Sequence, residues 1–130
     1  MIDIATLAKQ SGIAAHTLRY YDSRGLITAV SRSGLKRVYA DGVWLNLRLI
    51  HLGQKVGMSL QQIDAAFGLS SQIAVRRETF NLQAQAVAEQ IRHLQTMQAL
   101  LQHLSACAHA QHLDCPEFQA LLNEVLPQQQ

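Results

Sequence analysis

The sequence predicts a mainly α-helical chain, a winged helix-turn-helix unit followed by one long helix built to form a coiled coil. Three observations predict this. Two short amphipathic runs flank Ser11-Gly12. A basic hairpin signal centres on Ser33-Gly34. Apolar residues return every seventh position at Phe80, Val87, Leu94 and Leu101, in a stretch free of proline and glycine. The implied boundaries are 1–69 for the winged unit with a linking helix pair, 70–106 for the long helix, and 107–130 for a loop and short helix.

Each element has a local reason. Asp3 is placed to cap a first helix, with Ile4, Leu7 and Ala8 on one stripe. Gly12 supplies the turn and Ile13 plugs the gap. In the second helix Leu18 and Tyr21 continue the buried face, while His16, Thr17, Arg19 and Tyr20 face outward. Two helices joined by a tight glycine turn can place the second in a DNA major groove. Arg19 then reaches base edges or phosphate, and Tyr20 offers its hydroxyl to phosphate. Extended runs on either side of Ser33-Gly34 form the wing, with Arg32, Lys36, Arg37 and Tyr39 as its phosphate-binding set.

Asp41 is expected to cap a third helix through Val56, and Ser59 a fourth, whose Leu60, Ile63, Ala66 and Phe67 form a stripe ended by Gly68. The long helix is expected from about Ser71 to about Ala106, about 50 Å at the usual rise. Phe80, Val87, Ile91, Leu94 and Leu101 form its seam. A chain this small cannot cover such a seam, which points to a second copy and a homodimer. Glu117 to Leu126 reads as a final short helix.

The totals agree. The chain has 130 residues, 48% hydrophobic and 5% aromatic, which suits a helical core of Leu, Ile, Val and Ala. Residues 1–58 carry eight Lys and Arg against three Asp, a net +5. Residues 59–130 carry three Arg against six acids, a net −3. A basic first half suggests a polyanion partner for that half. No stretch has the apolar length of a membrane span, and the N-terminus lacks a signal-peptide core, so a cytoplasmic location without membrane is expected. No phosphate loop, nucleophile elbow or convincing carboxylate pair is present, and Asp114 and Glu117 read as loop charges, so an enzyme is not expected.

Cys107 and Cys115 flank a seven-residue loop after the long helix, with His109 and His112 inside it and His103 one turn earlier. In a reducing compartment such a pair is not a structural disulfide. Two thiolates can make a linear site for a soft monovalent ion such as Cu(I) or Ag(I), and added imidazoles a tetrahedral Zn(II) site. Reversible thiol oxidation or electrophile capture also fits two cysteines. So does a metal-binding protein without specific DNA recognition, though the basic wing and Arg19-Tyr20-Tyr21 argue against it.

Taken together, Ile4-Ala5-Thr6-Leu7-Ala8 with Ser11-Gly12, Leu18-Arg19-Tyr20-Tyr21-Asp22 with Gly25-Leu26, Arg37-Val38-Tyr39, and Gly57-Met58-Ser59-Leu60 resemble the MerR family of bacterial transcriptional regulators. The resemblance covers nearly the whole chain. Two departures stand out: a proline common soon after Gly-Leu is absent, and the wing reads Leu35-Lys36-Arg37-Val38-Tyr39. Neither removes a positive charge. The resemblance implies an antiparallel coiled-coil dimer that binds a palindromic operator in promoter DNA. On effector binding it distorts the DNA and so realigns the promoter for RNA polymerase. The Cys-x7-Cys-Pro loop resembles that of the copper-, silver- and gold-responsive branch. Ser71, in Ser70-Ser71-Gln72, stands near where divalent-metal members place a partner-subunit cysteine, which favours a monovalent ion. An iron–sulfur cluster would need four cysteines, and a bulky organic effector would call for a large additional domain.

Overall fold

A computed structural model of the chain describes residues 1–106, 113 and 115–126. They fall into two compact units, Met1–Ala84 and Gln85–Gln130. The first holds β1 (Ile2–Asp3), α1 (Ile4–Ser11), α2 (Ala15–Ser23), β2 (Ser31–Ser33), β3 (Lys36–Tyr39), α3 (Val43–Lys55) and α4 (Leu60–Phe67). The boundary lies within α5 (Arg77–Ala106), and α6 (Pro116–Val125) belongs to the second unit.

In the first unit the helix-turn-helix forms for the expected reasons. The Asp3 carboxylate accepts the Thr6 N–H at 2.8 Å, capping α1. That hydrogen bond also holds the carboxyl below its ordinary pKa. Gly12 takes φ 74°, a left-handed value that L side chains avoid, and donates to the Ala8 carbonyl at 3.0 Å. The wing is a three-stranded antiparallel sheet ordered β1-β3-β2. Arg32 pairs with Arg37 and Ser33 with Lys36, while Ile2 pairs with Tyr39. The start of the chain is therefore a third strand of the wing, beyond the expected hairpin.

The core lies between these elements. Leu7, Leu18, Leu26, Ile27, Tyr39, Ile50 and Ile63 are wholly buried. Ser59 and Gln62 form a reciprocal capping box at the start of α4, and Gly68 ends it in the left-handed region. At the crossing of α3 and α4, a Cβ on Gly53 would stand 2.3 Å from Ile63 Cγ1. Only glycine lets the two helices approach this closely. Asn46 ties α3 to the end of the recognition unit by donating to the Leu26 carbonyl at 2.8 Å.

Two expected helix starts are corrected. α3 begins at Val43 with Gly42 as its cap, and the Asp41 carboxylate instead takes the N-terminal ammonium at 3.0 Å. The long helix begins at Arg77, not near Ser71. The N–H groups of Ala74 and Arg76 donate back to Phe67 and Ala66, both at 2.9 Å, and the Arg76 guanidinium reaches the Ala65 carbonyl at 2.7 Å. These donors satisfy the open carbonyls at the end of α4, a stronger local demand than starting a new helix. Ser71 lies in this segment, its hydroxyl 3.5 Å from the Gly68 carbonyl.

α5 contains no buried residue. Among the described residues, no helix is long and apolar enough to cross a membrane.

Candidate DNA-binding surface and metal centre

α2 carries the recognition face. Leu18 and Tyr21 point into the core, as expected, which leaves His16, Arg19 and Tyr20 exposed together on the other side, with Thr17 half-buried between the two faces. On the wing, Arg32 and Lys36 are exposed.

Arg37 and Tyr39 behave differently. Tyr39, expected to reach phosphate, is wholly buried, and its hydroxyl donates to Asp22 Oδ2 at 2.8 Å. This corrects the expectation: the phenol has no access to a ligand, because the acid at the end of α2 consumes its only proton. Burial first, and then the hydrogen bond and charge of Asp22, push its pKa up to about 12. Arg37 is half-buried, with Nη1 3.7 Å from the same Asp22 Oδ2. That distance makes an ion pair and is too long for a hydrogen bond, so buried Nη1 has no acceptor among the described residues. A carboxylate near a helix C-terminus opposes the helix dipole, and Arg37 and Tyr39 compensate it. Asp22, Arg37, Arg32 and residues 28–31 line a concavity of about 360 Å³ beside the recognition helix.

The seam residues divide. Phe80 is half-buried and meets Phe67 at 5.1 Å between ring centroids, so it packs onto the first unit's core. Val87, Ile91, Leu94, Met97, Leu101 and Leu104 are each more than a third exposed.

In the second unit, Cys115 stands at the N-cap of α6 and is buried, with Pro116 in the first turn. Its Sγ lies 3.4 Å from His103 Nε2 on the last turn of α5. The other nitrogen of the same ring, Nδ1, lies 3.4 Å from Glu117 Oε2. Phe118 stacks on the imidazole, centroids 6.2 Å apart and planes 17° apart. The three ligand atoms all lie within 4.8 Å of one another. A thiol, an imidazole and a carboxylate make a donor set that suits a thiophilic or borderline metal ion. Cys107, His109 and His112, also expected as ligands, lie outside the described residues.

Residues 2–68 match the family model described as MerR HTH family regulatory protein, and residues 45–104 match the one described as MerR, DNA binding. The chain belongs to the MerR family. As a MerR chain it is a DNA-binding transcriptional regulator, not an enzyme. It is 45% identical to the HTH-type transcriptional activator SoxR homolog of Chromobacterium violaceum over 65 residues. That match spans 50% of this chain and 44% of the relative. It is 28% identical to the Heavy metal-dependent transcription regulator 2 of Rhizobium meliloti, over 94% of this chain and 87% of that one. The crystal structure of MtaN, the N-terminus of a Bacillus subtilis multidrug transporter activator, shares the fold, with a TM-score of 0.68 at 20% identity, over 82% of this chain and 100% of that chain.

Within this MerR chain, the sequence reading left three participants without their roles: Asp22 had none, His103 was only placed one turn before Cys107, and Glu117 was read as a loop charge. Asp22 carries the wing contacts, His103 faces the buried thiol, and Glu117 is drawn to the imidazole. One signal existed for His103: it lies four residues before Cys107 in the sequence. None existed for Asp22, whose partners are 15 and 17 residues away.

Proposed function

We propose that the chain acts in the cytoplasm as a homodimer on a palindromic promoter operator, and activates transcription when a thiophilic metal ion binds at its Cys107–Cys115 loop. The observation that carries this reading is the bare seam of α5. Val87, Ile91, Leu94 and Leu101 expose apolar surface along one helix that nothing among the described residues covers. A second copy, antiparallel in a coiled coil, supplies the missing surface. Two α2 helices on one dimer then meet two half-sites, with His16, Thr17, Arg19 and Tyr20 toward the groove and Arg32, Lys36 and Arg37 toward phosphate. A change at the metal loop alters dimer geometry, and the DNA absorbs the change as bending or untwisting that RNA polymerase reads.

The donor set at Cys115 and the printed name of the Rhizobium meliloti relative support the metal part. Burial of Cys115 argues against direct capture of electrophiles at that sulfur. The test measures operator binding and promoter output with Cu(I), Ag(I) and Zn(II). Arg19→Ala should abolish operator binding. Cys107→Ser and Cys115→Ser should each keep operator binding and lose the response. Normal metal response in both cysteine variants overturns the reading.

A further inference from the structure

Two thiolates alone would make a site for a soft monovalent ion. The contacts around Cys115 point elsewhere. Its sulfur faces a histidine ring nitrogen at 3.4 Å. With Zn–S of about 2.3 Å and Zn–N of about 2.0 Å, a tetrahedral angle sets sulfur and nitrogen about 3.5 Å apart, and a straight line about 4.3 Å. The observed spacing is that of a thiol–imidazole hydrogen bond, and a tetrahedral ion could replace the shared proton with little movement of either donor.

The ring is also prepared. A metal-binding imidazole usually gives its second nitrogen to a carboxylate, which fixes the tautomer and the ring plane. Here Glu117 takes that place at Nδ1, and Phe118 stacks on the ring face. Glu117 is not itself a ligand of the same ion. It stands at the opposite ring nitrogen, and its side chain is 83% exposed. The thiol is held from the other side by its position at the start of α6, directly before Pro116. Two helices thus aim two donors at one point.

We propose that His103 is a metal ligand through Nε2, beside Cys115 Sγ, with Glu117 as its positioning residue. The site is then tetrahedral and takes a borderline divalent ion, with Zn(II) as its representative, in preference to a linear monovalent one. This rests on the reading of the Cys107–Cys115 loop as metal-responsive and contradicts the monovalent preference that Ser71 suggested. Water or further side chains complete the four.

The test uses the full-length protein under anaerobic conditions. Zn(II) affinity is measured by competition with a chromophoric chelator, Ag(I) affinity in parallel, and Co(II) serves as a spectroscopic stand-in. Wild type should give the intense visible bands of tetrahedral Co(II) together with thiolate charge transfer. His103→Leu should weaken Zn(II) binding by about 100-fold and Glu117→Gln by about tenfold. Ag(I) affinity, set by the thiolates, should stay unchanged in both. His103→Cys should restore tight Zn(II) binding and raise the charge-transfer intensity by one thiolate's share, a result no structural histidine would give. If Zn(II) binding survives His103→Leu but fails in Cys115→Ser, the histidine assignment falls and the metal-responsive reading stands. If wild type binds neither Zn(II) nor Ag(I), both fall.

Discussion

Residues 1–84 and 85–130 solve the same physical problem in opposite ways. The first unit buries its own apolar residues: Leu7, Leu18, Ile27, Ile50 and Ile63 all lose contact with solvent. The second leaves Ile91, Leu94 and Leu101 at 51%, 60% and 63% exposure. Surface of that kind costs solubility unless something covers it. The contrast teaches where self-sufficiency ends. A winged helix-turn-helix closes on itself, and the long helix leaves an apolar seam exposed. Three substitutions probe that contrast.

The largest effect is expected at the seam. Leu94→Glu places a charge where a second copy should pack, once in each subunit. Losing about 1.5 kcal/mol or more per copy weakens the dimer by at least about 3 kcal/mol, over a hundredfold. Sedimentation should report monomer, while the first unit keeps its near-ultraviolet circular dichroism. A dimer that persists unchanged would show that another surface holds the copies together.

Gly53→Ala attacks the self-sufficient half. The added methyl meets Ile63 at a distance no real contact shows, and Ile63 is wholly buried. Overpacking of this kind costs about 1–3 kcal/mol. At roughly 4–8 °C per kcal/mol for a unit of this size, melting of the first unit should fall clearly while the dimer constant holds. Equal melting would mean that the α3–α4 crossing is looser than described.

The smallest effect separates hydrogen bonding from packing. Tyr39→Phe keeps the buried ring and removes the bond to Asp22, a loss of about 1–2 kcal/mol. Its pH dependence has a definite sign. The phenol titrates near 10 when unfolded and at about 12 when folded. Its contribution is therefore complete below pH 10 and is lost as pH rises through 12. Urea midpoints of wild type and Tyr39→Phe should differ at neutral pH and converge across that interval. A constant gap would show that the hydroxyl does not control the effect.

What the sequence could reveal follows from the range of each interaction. Asp3, Gly12, Ser59 and Gly68 act within about four residues, so their caps and turns were readable, and with them the helix-turn-helix. The wing hairpin was readable from Ser33-Gly34, but its third strand pairs Ile2 with Tyr39 from far along the chain. The start of the long helix was misread because Ala74 and Arg76 answer to carbonyls of α4, a demand invisible in helical periodicity. Tyr39 was misassigned for a similar reason. A tyrosine near basic residues looks like a phosphate ligand until Asp22 comes into reach. In the second unit, the two cysteines marked the right place. The sequence placed His103 one turn before Cys107, and only the fold brings its ring to Cys115.

The Asp22 carboxylate holds two groups of the wing at once, the Tyr39 hydroxyl and the Arg37 guanidinium. It thereby turns a helix and a hairpin into a gauge of fixed length. With α2 in the groove and the wing on the backbone, as proposed, such a gauge resists stretching to suit a duplex spaced differently. Any mismatch must be taken up by the softer body, and that is the DNA, whose stiffness varies from step to step. The protein can then favour one sequence over another at base pairs it never touches, simply by refusing to bend.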